Sequence, residues 1–125
     1  DKETIVLEYE PNILNTLDIK ESYLNRVRLG LKMVMTNGTG YGYVNLNLNP
    51  SGKTGTSETF VDSNLDGKYE TETISTSFAT YFPSNNPNTV IAITSPNISY
   101  KNKSSSYIYP FNKLVIQRVS NYFLN

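Results

Sequence analysis

Residues 51–94 hold three runs of strand-forming residues separated by two short turns, and this constrains the fold more than any other feature. The runs are 51–60 (SGKTGTSETF), 69–82 (YETETISTSFATYF) and 89–94 (TVIAIT). The long middle run alternates charged or polar residues with Thr, Ile and Phe, the period of a half-buried strand. The segments between them, 62–67 (DSNLDG) and 83–88 (PSNNPN), have turn composition. Consecutive strands joined by short turns pair antiparallel. The expected sheet is therefore a three-strand antiparallel meander of one strand carrying Lys-Thr-Gly, one long polar strand and one apolar strand.

Two helical patterns flank it. Asp18 can cap a helix running to about Asn37, with Glu21 completing a capping box. Ile19, Tyr23, Val27, Leu31 and Val34 recur at helical spacing as its apolar stripe, with Arg26, Arg28 and Lys32 mostly off it. Gly30 inside this helix costs about 1 kcal/mol against Ala, which suggests close packing there. Asn37-Gly38 ends it with residues that tolerate positive φ. Residues 107–124 read as a closing helix, with Ser106 as its cap, Pro110 in its first turns and Phe111, Val115, Val119 and Tyr122 as its buried face. Residues 4–9 (TIVLEY) read as a short strand that Pro11 stops. Residues 39–50 read as an irregular connection and 95–106 as a polar loop, with Lys101 and Lys103 solvated. Met33 and Met35 read as core filler. The fold class is α+β, a meander packed by an N-terminal and a C-terminal helix.

The apolar strand sets a condition. Val90, Ile91, Ala92 and Ile93 are apolar at consecutive positions, so both faces expect cover. As the last strand of a meander, it would also leave a bare edge. Either a segment outside this chain pairs with 89–94, or one face is partly covered and the loop after Ser95 shields the edge.

Composition removes several chemistries. The chain of 125 residues has no Cys and no His. Disulfides, thiolate and imidazole metal ligands, cysteine nucleophiles and Ser-His-Asp triads are excluded. Proton transfer would fall to Lys, Tyr or a carboxylate. Lys plus Arg and Asp plus Glu number 11 each, so no positive field favours nucleic acid or an anionic membrane. No run approaches the roughly 18 apolar residues of a membrane span. The chain begins at Asp1, not Met, and is expected to be a piece of something longer.

The sharpest local signal is Gly52-Lys53-Thr54-Gly55-Thr56. A P-loop needs a glycine where Asn47 stands, and needs a helix to follow where this segment enters a strand. The other reading is the K-T-G box of serine acyl-transferases that work without His. On a strand beside a groove, Lys53 supplies a positive charge that holds a carboxylate and polarises a hydroxyl network. Thr54 and Thr56 are two apart and share a face. Gly55 leaves room for a ligand lying along the strand. The main-chain N–H of Thr56 can donate into an oxyanion hole. An ordinary hairpin strand could carry the same residues.

The surrounding sequence extends the match. The run Val27-Arg28-Leu29-Gly30-Leu31-Lys32-Met33-Val34, followed by Asn37-Gly38-Thr39-Gly40, resembles the helix and turn before the K-T-G strand of class B penicillin-binding proteins. Ser51-Gly52-Lys53-Thr54-Gly55-Thr56-Ser57-Glu58 resembles their AGKTGTAE segment. Ser77-Phe78-Ala79-Thr80-Tyr81-Phe82-Pro83-Ser84-Asn85-Asn86-Pro87 resembles their following strand and turn, 89–94 their core strand, and Tyr109-Pro110-Phe111 the start of their closing helix. The absence of Trp favours class B over class A. The resemblance implies a partial lobe of a serine D,D-transpeptidase domain that cross-links peptidoglycan and is acylated by β-lactams, with no cofactor. It implies anchoring by an N-terminal helix outside this chain, at the extracytoplasmic face of a bacterial membrane that this segment does not touch. Lys53 would join the active-site hydroxyl network, Thr54 and Thr56 would bind the carboxylate of a stem peptide or antibiotic beside Gly55, and the Thr56 N–H would form half the oxyanion hole.

The family's nucleophile lies in S-x-x-K, and no Ser here has Lys three residues on; Ser22-Tyr23-Leu24-Asn25 does not fit. Ser95-Pro96-Asn97 spells S-x-N but follows K-T-G where the family's motif precedes it, and reads as a turn. Residues 1–125 are therefore expected to be the C-terminal portion of one transpeptidase domain, inactive alone, its upstream portion pairing with 89–94. A β-lactamase or β-lactam sensor is the rival within the superfamily.

A non-catalytic extracellular binding module is the rival of another class, because Asp62-x-Asn64-x-Asp66-Gly67 matches half an EF-hand loop. Thr73 stands where that loop needs its bidentate glutamate, and a solvated hairpin turn is the simpler reading. Tyr on the strands reads as packing, and the Asn-x-Ser/Thr sequons at Asn37, Asn97 and Asn102 as carrying no glycan in a bacterial protein.

Overall fold

The structure is a computed structural model, and it describes residues 9–10, 12–99 and 108–124. Helix α1 spans Glu21–Thr36, strands β1, β2 and β3 span Ser51–Val61, Thr71–Phe82 and Thr89–Ser99, and helix α2 spans Ile108–Asn121. A 3-10 turn, Leu46–Leu48, precedes β1, and another, Tyr122–Leu124, follows α2. The sheet order is β1-β2-β3, antiparallel throughout, as the meander pattern requires. The proposed strand at 4–9 and the Ser106 cap lie outside the described residues, apart from Tyr9, which is not in a strand.

Register assigns the faces. Lys53 pairs with Ala79, Thr54 with Phe78, Gly55 with Ser77, and Thr56 with Thr76. Phe78, Thr76, Thr80 and Phe82 are buried, whereas Ser77 and Ala79 are exposed. Alternation therefore puts Thr54 and Thr56 on the helix-covered face and Lys53 and Gly55 on the open one. Across β2, Ile91 and Ile93 pair with Thr80 and Phe78 on the covered face and are half-buried. Val90 (72% exposed) and Ala92 lie on the open face. The apolar run 90–93 thus has cover on one face only among the described residues.

The core lies between the sheet and the two helices. It consists of Met35 from α1, Tyr43 and Val44 from the connection, Phe78 and Phe82 from β2, and Ile116 from α2. Tyr43 stacks on Phe78 with ring centroids 4.5 Å apart. Residues 39–50, expected to be merely irregular, thus supply two core side chains; no periodicity marks them. Every buried side-chain polar atom among the described residues has a partner.

Five local expectations are corrected. The helix starts at Glu21 with Lys20 as its cap, and no side chain caps it, so Asp18 does not serve. Within α1, Tyr23 and Val27 are largely exposed and Met33 is half-exposed; the buried contact comes from Met35, with Leu31 and Val34 partly buried. A Cβ at Gly30 would meet nothing within 4 Å, so this glycine makes no close packing here.

In α2 the buried side chains are Asn112, Ile116 and Ser120, whereas Phe111, Val119 and Tyr122 are exposed. The helix is rotated by about one residue, roughly 100°, from the face that hydrophobicity alone selects. The cause is polar: Asn112 Nδ2 donates to Thr76 Oγ1 (3.3 Å), and Ser95 Oγ donates to Asn112 Oδ1 (3.0 Å).

The fifth correction concerns Ser95-Pro96-Asn97, which is a bulge inside β3 rather than a turn. Pro96 and Asn97 together face Ser75, between the pairs Thr76–Ser95 and Ile74–Ile98. Pro96 has no N–H to give the ladder, and Asn97 sits at φ 51°. The Asn97 N–H donates instead to Ser75 Oγ (3.1 Å). The strand thus runs on through residues expected to be loop.

Candidate active site

The tetrapeptide 53–56 lies on β1, the edge strand of the sheet. Beside it a groove of about 420 Å³ runs across the open face. Lys53, Thr54 and Gly55 form one side, Ser77 and Ala79 the floor, and Ala92 and Thr94 the other side. The groove exists because the floor residues are small. The packing is tight at Gly55, where a Cβ would collide with Ser77 Oγ.

Lys53 is exposed, and its Nζ donates to the Thr54 carbonyl oxygen at 2.6 Å. Among the described residues no carboxylate pairs with it; the ion pair present joins Arg28 to Glu21 at 2.7 Å, on α1. The ammonium is therefore available to an anionic ligand. Thr54 is half-buried, and its hydroxyl lies 2.8 Å from that of Thr39 in the turn after α1. Thr56 is exposed.

The start of β1 is fixed by a separate network. Ser51 is fully buried, with its hydroxyl 2.7 Å from that of Ser84. Ser84 donates through both Oγ and N–H to the Asn49 carbonyl, at 2.8 and 2.7 Å. Thr80 Oγ1 donates to the Ser51 carbonyl at 2.9 Å. The hydroxyls tie the two ends of the β1–β2 pair together two residues before Lys53. Sequence reading missed Thr39 and this network, because contacts between residues 15 to 35 apart leave no local signal.

Asp62, Asn64 and Asp66 sit at the β1–β2 turn, away from the groove. Asp62 accepts the N–H groups of Asp66 and Gly67 at 3.1 and 2.8 Å. Asn64 Oδ1 accepts from Asp66 N, and Asp66 Oδ1 from Lys68 N. The oxygens that would hold a cation are turned onto the loop's own amides, the geometry of an Asx-rich turn. Among the described residues no cluster of three or more acidic side chains could bind a metal.

An edge strand bearing Lys-Thr-Gly-Thr beside a groove floored by small residues suits a serine acyl-transferase of the penicillin-binding type. The comparisons agree. The family model of the penicillin binding protein transpeptidase domain matches residues 2–114, and the chain belongs to that family. It is 34% identical over 93 residues to penicillin-binding protein 2A of Bacillus subtilis (strain 168), covering 74% of this chain and 13% of that protein. It is 29% identical over 109 residues to penicillin-binding protein H of the same organism, covering 87% of this chain and 14% of that protein. The chain thus spans about a seventh of the length of these relatives. No solved structure matches it.

Proposed function

We propose that residues 1–125 are the C-terminal portion of one transpeptidase domain of class B type and supply the K-T-G wall of a D,D-transpeptidase active site. The acyl donor is a peptidoglycan stem peptide ending in D-Ala-D-Ala, or a β-lactam that imitates it. The observation that carries this reading is the position of Lys53–Thr56: on a sheet edge, beside an open groove, with an ammonium that no carboxylate pairs among the described residues.

The donor lies along β1 as an added strand. Lys53 holds the hydroxyl network of the site, and the hydroxyls of Thr54 and Thr56 bind the donor carboxylate. A serine from the upstream part of the protein attacks the donor carbonyl. Its O–C bond forms as the C–N bond to the terminal D-Ala breaks, and the serine proton passes through a neighbouring lysine to the leaving amine. The Thr56 N–H stabilises the developing oxyanion. An amine of a second stem peptide then attacks the ester, and the serine leaves with its proton restored.

The upstream part of the domain also pairs with residues 89–94, whose outer edge and open face have no cover among the described residues. The reaction takes place at the extracytoplasmic face of the membrane, with the protein anchored by a helix outside this chain. Among the described residues, no helix is long and apolar enough to cross a membrane.

Fluorescent penicillin labelling of the intact protein tests the reading. A serine outside residues 1–125 takes the label, and Lys53→Ala lowers the labelling rate about 10- to 100-fold, the loss of a charge-assisted contact. A protein that takes no label, or a Lys53→Ala variant that labels normally, overturns it.

A further inference from the structure

Thr39 stands at the apex of the turn that follows α1, and this turn has little freedom. Its backbone is closed by bonds from Asn37 N to Met33 O, Gly40 N to Val34 O, Tyr41 N to Gly38 O and Tyr43 N to Gly40 O, at 3.0–3.1 Å. Gly38 is pressed against the last turn of α1 and Gly40 against the core. A Cβ at Gly38 would lie 2.8 Å from Val34 Cα, and one at Gly40 would lie 2.7 Å from Met35 Sδ and 3.3 Å from the Phe78 ring. The turn thereby delivers the Thr39 hydroxyl to 2.8 Å from the Thr54 hydroxyl. Thr39 is exposed and Thr54 half-buried, so the pair is open to solvent.

A hydroxyl has one proton to give and lone pairs to receive. Within such a pair, the hydroxyl that accepts becomes the better donor to a third group. The geometry points to Thr39 as a positioning residue for carboxylate recognition: it donates to Thr54 Oγ1 and so commits the Thr54 proton to the carboxylate of the acyl donor. This rests on the transpeptidase reading above and adds to it a residue outside the K-T-G strand. Thr39 touches no reacting atom; it acts through Thr54.

The test compares acylation of the intact protein by a penicillin and by the methyl ester of the same penicillin, which lacks the anionic carboxylate. Thr39→Val is expected to slow acylation by the free acid about 3- to 10-fold and to leave the ester's rate unchanged. Thr39→Ser restores the acid rate. Thr54→Val shows the same selective loss, and combining it with Thr39→Val adds nothing further, as coupled residues require. Equal losses for acid and ester would show that Thr39 merely ties the turn to the strand, and would overturn the inference. So would an unchanged acid rate, or failure of the Ser variant to restore it. A wild-type protein that neither compound acylates overturns the transpeptidase reading and this inference with it; acylation of the wild type without the acid-selective loss overturns the inference alone.

Discussion

At Gly52 a methyl group would lie 2.7 Å from the Ala79 carbonyl oxygen and 3.0 Å from Met35 Sδ. The sulfur could swing aside, but the carbonyl belongs to the neighbouring strand and cannot move without disturbing the ladder. Gly52→Ala is therefore expected to destabilise the intact protein by about 1–3 kcal/mol, the usual range for forced overpacking, read as a lower denaturation midpoint. It should also slow penicillin labelling, because the displaced residue immediately precedes Lys53. The role of this glycine is steric, since its φ is ordinary. The K-T-G spelling was legible in the sequence, but the reason for the glycine before it was not, because the obstruction comes from Ala79, 27 positions along the chain.

Among the elements, α2 shows where sequence reasoning loses its grip. Its length and approximate bounds follow from helical spacing, but its rotation does not. Hydrophobicity selects Phe111, Val115, Val119 and Tyr122; the fold buries Asn112, Ile116 and Ser120. Asn112 is 2% exposed and bridges Thr76 on β2 to Ser95 on β3. Removing it leaves two hydroxyls without their partner, so Asn112→Ala is expected to cost about 1–3 kcal/mol of stability in a denaturant melt. β3 extends the same lesson. Apolar periodicity ends at Thr94, yet the strand continues to Ser99, because the bulge at Pro96 and Asn97 absorbs the proline. A side-chain oxygen, that of Ser75, takes the place of a ladder partner there. By contrast, the β1–β2–β3 order and its turns were fully legible, since alternation and turn composition are local properties.

At the scale of the molecule, the main fact is the amount of apolar surface left without cover among the described residues. Tyr23 and Val27 on α1 are 58% and 61% exposed, and Val90 on the edge strand is 72% exposed. Apolar exposure of this kind, with a strand edge unpaired among the described residues, favours association. Residues 1–125 produced alone are accordingly expected to self-associate and to bind a hydrophobic dye, and Val27→Lys with Val90→Lys should reduce both, as seen by analytical ultracentrifugation. Monomeric behaviour of the unaltered chain would mean that these surfaces need no partner. The consecutive apolar residues 90–93 call for cover on both faces, and among the described residues one face has it. Sequence reading misjudged the helices, because a stripe at helical spacing shows that a face is apolar without saying which neighbour covers it.

Ala79 and Ala92 face each other across β2 and β3 on the open face of the sheet, and both are exposed. Larger side chains there would meet solvent before they met any part of this fold. Packing among the described residues therefore sets no upper bound on their size. Bulkier residues at these two positions would narrow the groove beside Lys53 while leaving the core on the other face intact.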